Sequence, residues 1–105
     1  RGLKFSALFA GNDTIAFGAI RALNEAGLRI PDDVALVGYD DIPLAAFATP
    51  PLTTVSSDPI GHGQDAVRLL MAQLEHRAAG ATLHEERPTR LVIRASCGTH
   101  PRLAD

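Results

Sequence analysis

The spacing of apolar and polar positions changes several times along this chain, and each change marks an element. Ser6 to Ala10 is short and apolar and is bounded by Gly11, Asn12 and Asp13, which predicts a buried strand ending in a turn. From Thr14 the period becomes helical, with Ile15, Ala19, Ile20, Leu23 and Ala26 recurring every three or four residues. Asn12 or Asp13 can accept from the first free backbone amides and Gly27 can take the left-handed position at the far end, so a helix over Thr14 to Ala26 is expected. Pro31, Asp32 and Asp33 then break the chain before Val34 to Val37. That segment is apolar without alternation, the habit of a parallel strand covered on both faces. Strand, helix and strand within about 35 residues make a βαβ unit.

Residues 42 to 53 carry Pro43, Pro50 and Pro51 and no helical period, which predicts a loop with one short turn. Thr53 to Val55 can form a short strand. Asp58 and Pro59 suit the cap and first position of a second helix, whose apolar face would be Ile60, Val67, Leu70, Met71 and Leu74, running to about Arg77 and stopped at Gly80. After a polar loop to Pro88, Thr89 to Ser96 alternates Leu91, Ile93 and Ala95 against Arg90, Val92 and Arg94. This predicts a strand near a sheet edge with the arginine face wetter, followed by a loose tail. The fold class is α/β, built on a parallel-sheet βαβ sandwich.

Composition narrows the function. The 105 residues suffice for one domain, and no apolar run approaches the roughly 20 residues a membrane helix needs. Ten basic against twelve acidic residues give a net charge of -2, so no basic field exists to hold a phosphate backbone, and these residues alone are not expected to bind DNA. The single cysteine, Cys97, rules out an internal disulfide framework and fits a reducing compartment, the cytoplasm. The chain has no initiator methionine and enters a strand pattern almost at once, which suggests a piece of something longer.

In open parallel sheets ligands gather outside the carboxyl ends of the strands. Both polar clusters of this chain fall there: Asn12 and Asp13 after the first strand, Asp40 and Asp41 after the second. Carboxylates and an amide at one rim suit a neutral, hydroxyl-rich ligand and would repel phosphate, and neither glycine-rich phosphate fingerprint occurs. Asp13 reads first as a helix cap and Asp41 as the start of a turn, whereas Asn12 and Asp40 are the binding candidates and Tyr39 a packing residue. His62, His76, His84 and His100 lack ligand spacing, so no metal or cofactor is expected. No nucleophile elbow is present, and Arg90 and Arg94 read as solvated. A phosphoacceptor module also gathers acids at strand ends, but it needs a basic partner at a neighbouring strand end, and the one lysine, Lys4, stands at a strand start. The chain is not expected to be an enzyme.

With FAGND, an alanine-rich helix and then PDDVALVGYDDIPLAAFATPPLTTV, the chain resembles the LacI/GalR family of bacterial transcription regulators from about Phe5 to Ser96. The resemblance implies a fragment of a type I fold like that of periplasmic binding proteins, in which two subdomains close over an effector. Residues 1–57 would belong to the C-terminal subdomain, 58–93 would be contributed to the N-terminal one, and 94–105 would return as segment and tail. The DNA-binding headpiece would be absent. The family's effector positions fall on Asn12 and Asp40, and the position after TTV where members often carry glutamine is Ser57. Surfaces used for homodimerisation fall on Phe17, Phe47 and Ala48, which from sequence alone serve equally as core. The implied function is the sensing part of a repressor that answers a sugar or nucleoside-like effector and reaches operator DNA only through the headpiece. The alternative is a periplasmic sugar receptor of an ABC transporter. Lacking most of a partner subdomain, the chain is expected to expose apolar faces.

Overall fold

A computed structural model describes residues 2–75 and 84–99. The predicted helix end at Arg77, the stop at Gly80, His76, His100 and the tail from residue 100 onward lie outside the described residues.

Two compact units divide the chain, one formed by residues within 1–56 and 90–105, the other within 57–89. The first holds a four-stranded sheet in the order β1-β2-β3-β4, with β1 at Ala7–Phe9, β2 at Ala35–Tyr39, β3 at Thr53–Ser56 and β4 at Arg90–Val92. The first three strands are parallel and pair in register, Phe9 with Val37 and Gly38 with Thr54, while β4 runs antiparallel along β3. α1 (Asp13–Glu25) makes the crossover between β1 and β2, and a short 3-10 turn (Pro43–Phe47) precedes β3.

α1 is closed at both ends by its own sequence. Asn12 is the N-cap, its Oδ1 accepting from the Ile15 amide at 2.8 Å. Gly27 adopts φ +73, and the Gly27 and Leu28 amides bond back to the Asn24 and Leu23 carbonyls, the paired closure that needs a left-handed residue. The buried face is Asp13, Ala16, Ile20 and Leu23: of the predicted stripe Ile20 and Leu23 are inside and Ala19 packs beside the core, while Ile15 and Ala26 are exposed. The core joins Ala10, Ala16 and Ile20 to Leu36, Ala45 and Leu52, with Leu8, Phe17, Ala19, Ile30 and Ala48 packed around it. β2 alternates despite its continuous apolarity: Leu36 and Gly38 are buried, and Ala35, Val37 and Tyr39 are half-buried.

The last strand departs from its predicted sidedness, although Arg90 is exposed as expected. Leu91, Ile93 and Ala95 are exposed, while Val92 and Arg94 are half-buried, because the Arg94 guanidinium turns inward to polar partners. Only Arg90–Val92 pair as a strand. Beyond it Ser96 is buried, its hydroxyl donating to the Leu36 carbonyl and accepting from the Thr53 amide, which staples the return segment to β2 and β3.

The second unit contains α2 (Pro59–Leu74) and residues 84–89, which form no regular element. Asp58 caps α2 through the Gly61 amide, with Pro59 at the first helical position. Arg87 bonds both Asp58 and Asp65, and Arg68 pairs with Glu85, so charged groups hold this unit together. The apolar face of α2 stays open: Ile60, Val67, Leu70, Met71 and Leu74 are all exposed.

Candidate functional site

The parallel pairing of β1 and β2 brings their carboxyl ends to one edge, so Asn12, Asp13, Asp40 and Asp41 share a rim as expected. Their roles differ from what their proximity suggests. Asn12 spends its oxygen on the helix cap and remains half-buried. Asp13, read from sequence as a cap, caps nothing. Its carboxylate is fully buried over the sheet, where Oδ1 accepts from the Thr54 hydroxyl at 2.6 Å and Oδ2 from the Ile42 amide at 2.9 Å.

Asp41 is likewise committed. Its Oδ1 accepts from Arg94 Nη2 at 2.9 Å, while Arg94 Nη1 bonds the Leu52 carbonyl at 2.9 Å, so Arg94 is a structural tie and not a solvated side chain. Asp40 is exposed, and among the described residues its side chain has no hydrogen-bond or ion-pair partner. Of the three acids at this rim, only Asp40 keeps its acceptor oxygens for something else.

The backbone carrying Asp40 is strained. Asp40 has φ 112 and Asp41 φ 54, conformations that side-chain-bearing residues rarely adopt and that cost of order 1–3 kcal/mol each. Three consecutive amides hold it: Asp40 N donates to the Val55 carbonyl at 2.9 Å, Asp41 N to Thr54 Oγ1 at 3.3 Å, and Ile42 N to Asp13. Thr54 Oγ1 therefore donates to one acid and accepts from the loop. Among the described residues no buried side-chain nitrogen or oxygen lacks a partner.

The Asp13–Thr54 pair and the Asp41–Arg94 bridge escaped sequence reading. One signal for the first was present: Gly38 interrupts an apolar strand, which marks close approach of another group. Gly38 pairs with Thr54 across the sheet, and a Cβ on it would overlap the Asp13 carboxylate. The bridge joins residues 53 positions apart and left no local trace.

Ser57 lies in the second unit and is half-buried. Phe17, Phe47 and Ala48, together with Leu44, line an apolar groove of about 220 Å³ on the first unit. Phe17 and Ala48 also pack against the core, whereas Phe47 is 82% exposed. A larger depression of about 320 Å³, lined by Leu3, Lys4, Phe5, Leu28, Asp33 and Val34, opens where β1 and β2 begin, at the edge away from Asp40. Among the described residues no group of three or more His, Cys, Asp or Glu is arranged to hold a metal ion, and no helix is long and apolar enough to cross a membrane.

Comparison with known proteins places the chain in a family. Residues 3–97 match the family model of the periplasmic binding protein-like domain. The HTH-type transcriptional repressor PurR of Haemophilus influenzae strain PittEE is 45% identical over 75 residues, 71% of this chain and 22% of that repressor. A LacI family transcriptional regulator from Enterococcus faecium, solved with bound ribose, is 34% identical with a TM-score of 0.77, over 87% of this chain and 34% of the other. The lac repressor dimer bound to operator and the anti-inducer ONPF is 38% identical with a TM-score of 0.79, over 90% of this chain and 32% of that one. The chain thus spans about a fifth of the first relative's length and about a third of the solved chains.

Proposed function

We propose that this chain, which belongs to the periplasmic binding protein-like domain family as part of a LacI/GalR regulator, is the portion of a repressor's sensing domain that holds a neutral, hydroxyl-rich effector, a sugar or a nucleoside-like molecule. The observation that carries this reading is the division of labour among the acids. Asp13 and Asp41 are tied into the protein, and the carboxylate of Asp40 stands exposed and unpartnered among the described residues, at the same sheet edge as Asn12. Such a carboxylate accepts two hydroxyl protons at once, and the amide nitrogen of Asn12 donates to a third oxygen. The bound ribose of the Enterococcus faecium relative supports a sugar-sized ligand.

Regulation follows from differential affinity, in a non-enzymatic, cytoplasmic protein that reaches operator DNA through a separate headpiece. An effector that prefers one state of the dimer by about 1–3 kcal/mol shifts operator affinity about 5 to 150-fold. The repressor names of the curated relatives favour this reading over a transport receptor. Titration calorimetry of the full-length protein against D-ribose, other monosaccharides and nucleosides tests it. Asp40→Ala is expected to weaken the ligand that binds by at least about tenfold, the loss of one or two charge-assisted hydrogen bonds, with operator affinity unchanged. Unchanged effector affinity removes Asp40 from the pocket.

A further inference from the structure

We infer that the buried Asp13–Thr54 pair is a positioning device that holds the loop bearing Asp40 in its strained conformation and so presents the Asp40 carboxylate at the rim. This rests on the reading of Asp40 as an effector-contacting group. Three features of the fold converge on it. Asp13 spends both carboxylate oxygens on one task, Oδ2 on the Ile42 amide and Oδ1 on the Thr54 hydroxyl, and offers none to its own helix. Thr54 Oγ1 then accepts from the Asp41 amide, so both amides immediately following Asp40 are fixed by this single pair. Gly38 leaves the space in which the carboxylate sits.

A carboxylate fully removed from water is costly unless its oxygens are hydrogen-bonded, and here each bond lands on, or one atom away from, the backbone just after Asp40. The conformation at Asp40, φ 112, is not one an aspartate adopts by itself. Loosening the pair lets residues 40–42 relax toward ordinary backbone angles and turns the Asp40 side chain away from its present direction. Asp13 and Thr54 touch no ligand in this scheme; they act through Asp40.

The test uses the full-length protein without ligand. Thr54→Val keeps the shape of the side chain and removes the hydroxyl, while Thr54→Ser restores it. Amide hydrogen exchange over residues 40–44, read by mass spectrometry, is expected to quicken about tenfold in Thr54→Val and to return to the wild-type rate in Thr54→Ser, with α1 unchanged. Asp13→Asn, which faces an NH2 group toward either the Ile42 amide or the Thr54 hydroxyl, is expected to quicken the same peptide and guards against a Thr54→Val protein that does not fold. Wild-type exchange in that peptide in both variants overturns the positioning role, as does an equal rise in α1, which marks general destabilisation only. D-ribose affinity measured alongside is expected to fall by a similar factor in Thr54→Val and to recover in Thr54→Ser. An Asp40→Ala protein that binds D-ribose as wild type does, beside a Thr54→Val loop that exchanges faster, sinks the reading of Asp40 and not the tether.

Discussion

The oxygen of Asn12 is bonded to the Ile15 amide, which leaves its nitrogen as the group that can reach outward. The cap and the proposed ligand contact would therefore use different atoms of one side chain, and two substitutions separate them. Asn12→Ser keeps an N-cap acceptor and removes the amide nitrogen, so the urea midpoint is expected to hold while effector binding weakens. Asn12→Ala removes both and is expected to cost about 0.5–2 kcal/mol of stability as well, visible as a lower urea midpoint. An Asn12→Ser protein with undiminished binding would leave Asn12 as a cap and nothing more. At this scale the sequence was legible in part. That Asn12 and Asp40 share one rim could be read because both follow the carboxyl ends of parallel strands. Asp13 could not be told from a cap, because the partner that claims it, Thr54, is 41 residues away and reaches it only once β2 and β3 are paired.

Among the elements, the turn into β2 carries the clearest electrostatic signature. Asp33 accepts from the Arg29 backbone amide and from two nitrogens of its guanidinium, and these hydrogen bonds lower its pKa from the usual 3.8 to about 2. A carboxyl whose folded pKa is depressed adds stability that is fully present above its unfolded value and is lost as pH falls toward the folded one. Between about pH 4 and pH 2, stability is therefore expected to decline, and Asp33→Asn is expected to flatten that part of the profile when urea midpoints are measured across it. An identical slope in the variant would show that the turn does not contribute. Elements were read from sequence better than their faces. The periods of α1 and β2 located both, yet Ile15 and Ala26 were placed inside and lie outside, since which helical stripe is buried depends on the sheet beneath it. Arg94, just beyond β4, was placed in water because alternation reports polarity, and a guanidinium can turn inward when a carboxylate and a carbonyl await it.

For the whole molecule, the apolar groove around Phe47 is the feature that points beyond a single chain. Phe47 projects beside Leu44, Phe17 and Ala48, an aromatic on an apolar patch of the kind found at the centre of subunit interfaces. Sedimentation of the full-length protein is expected to show a dimer, and Phe47→Asp is expected to weaken it at least about tenfold, the loss of one well-packed aromatic anchor, with effector affinity per chain retained. A variant as dimeric as wild type would assign the groove to contacts within the chain. The open face of α2, where Ile60 is 75% exposed and Leu74 64%, matches the exposure expected of a chain that covers only part of its relatives.

The antiparallel pairing of β3 with β4 sets Ser56 directly beside Arg90. The chain thus leaves the sheet and rejoins it at the same place, about 5 Å apart as paired antiparallel residues are. Residues 57–89 form a parenthesis in the sequence, opened and closed at one seam, and a two-residue hairpin turn could span the gap they occupy. The register of β3 against β4 is therefore set at the seam itself, by the pairing of Ser56 with Arg90, Val55 with Leu91 and Thr54 with Val92.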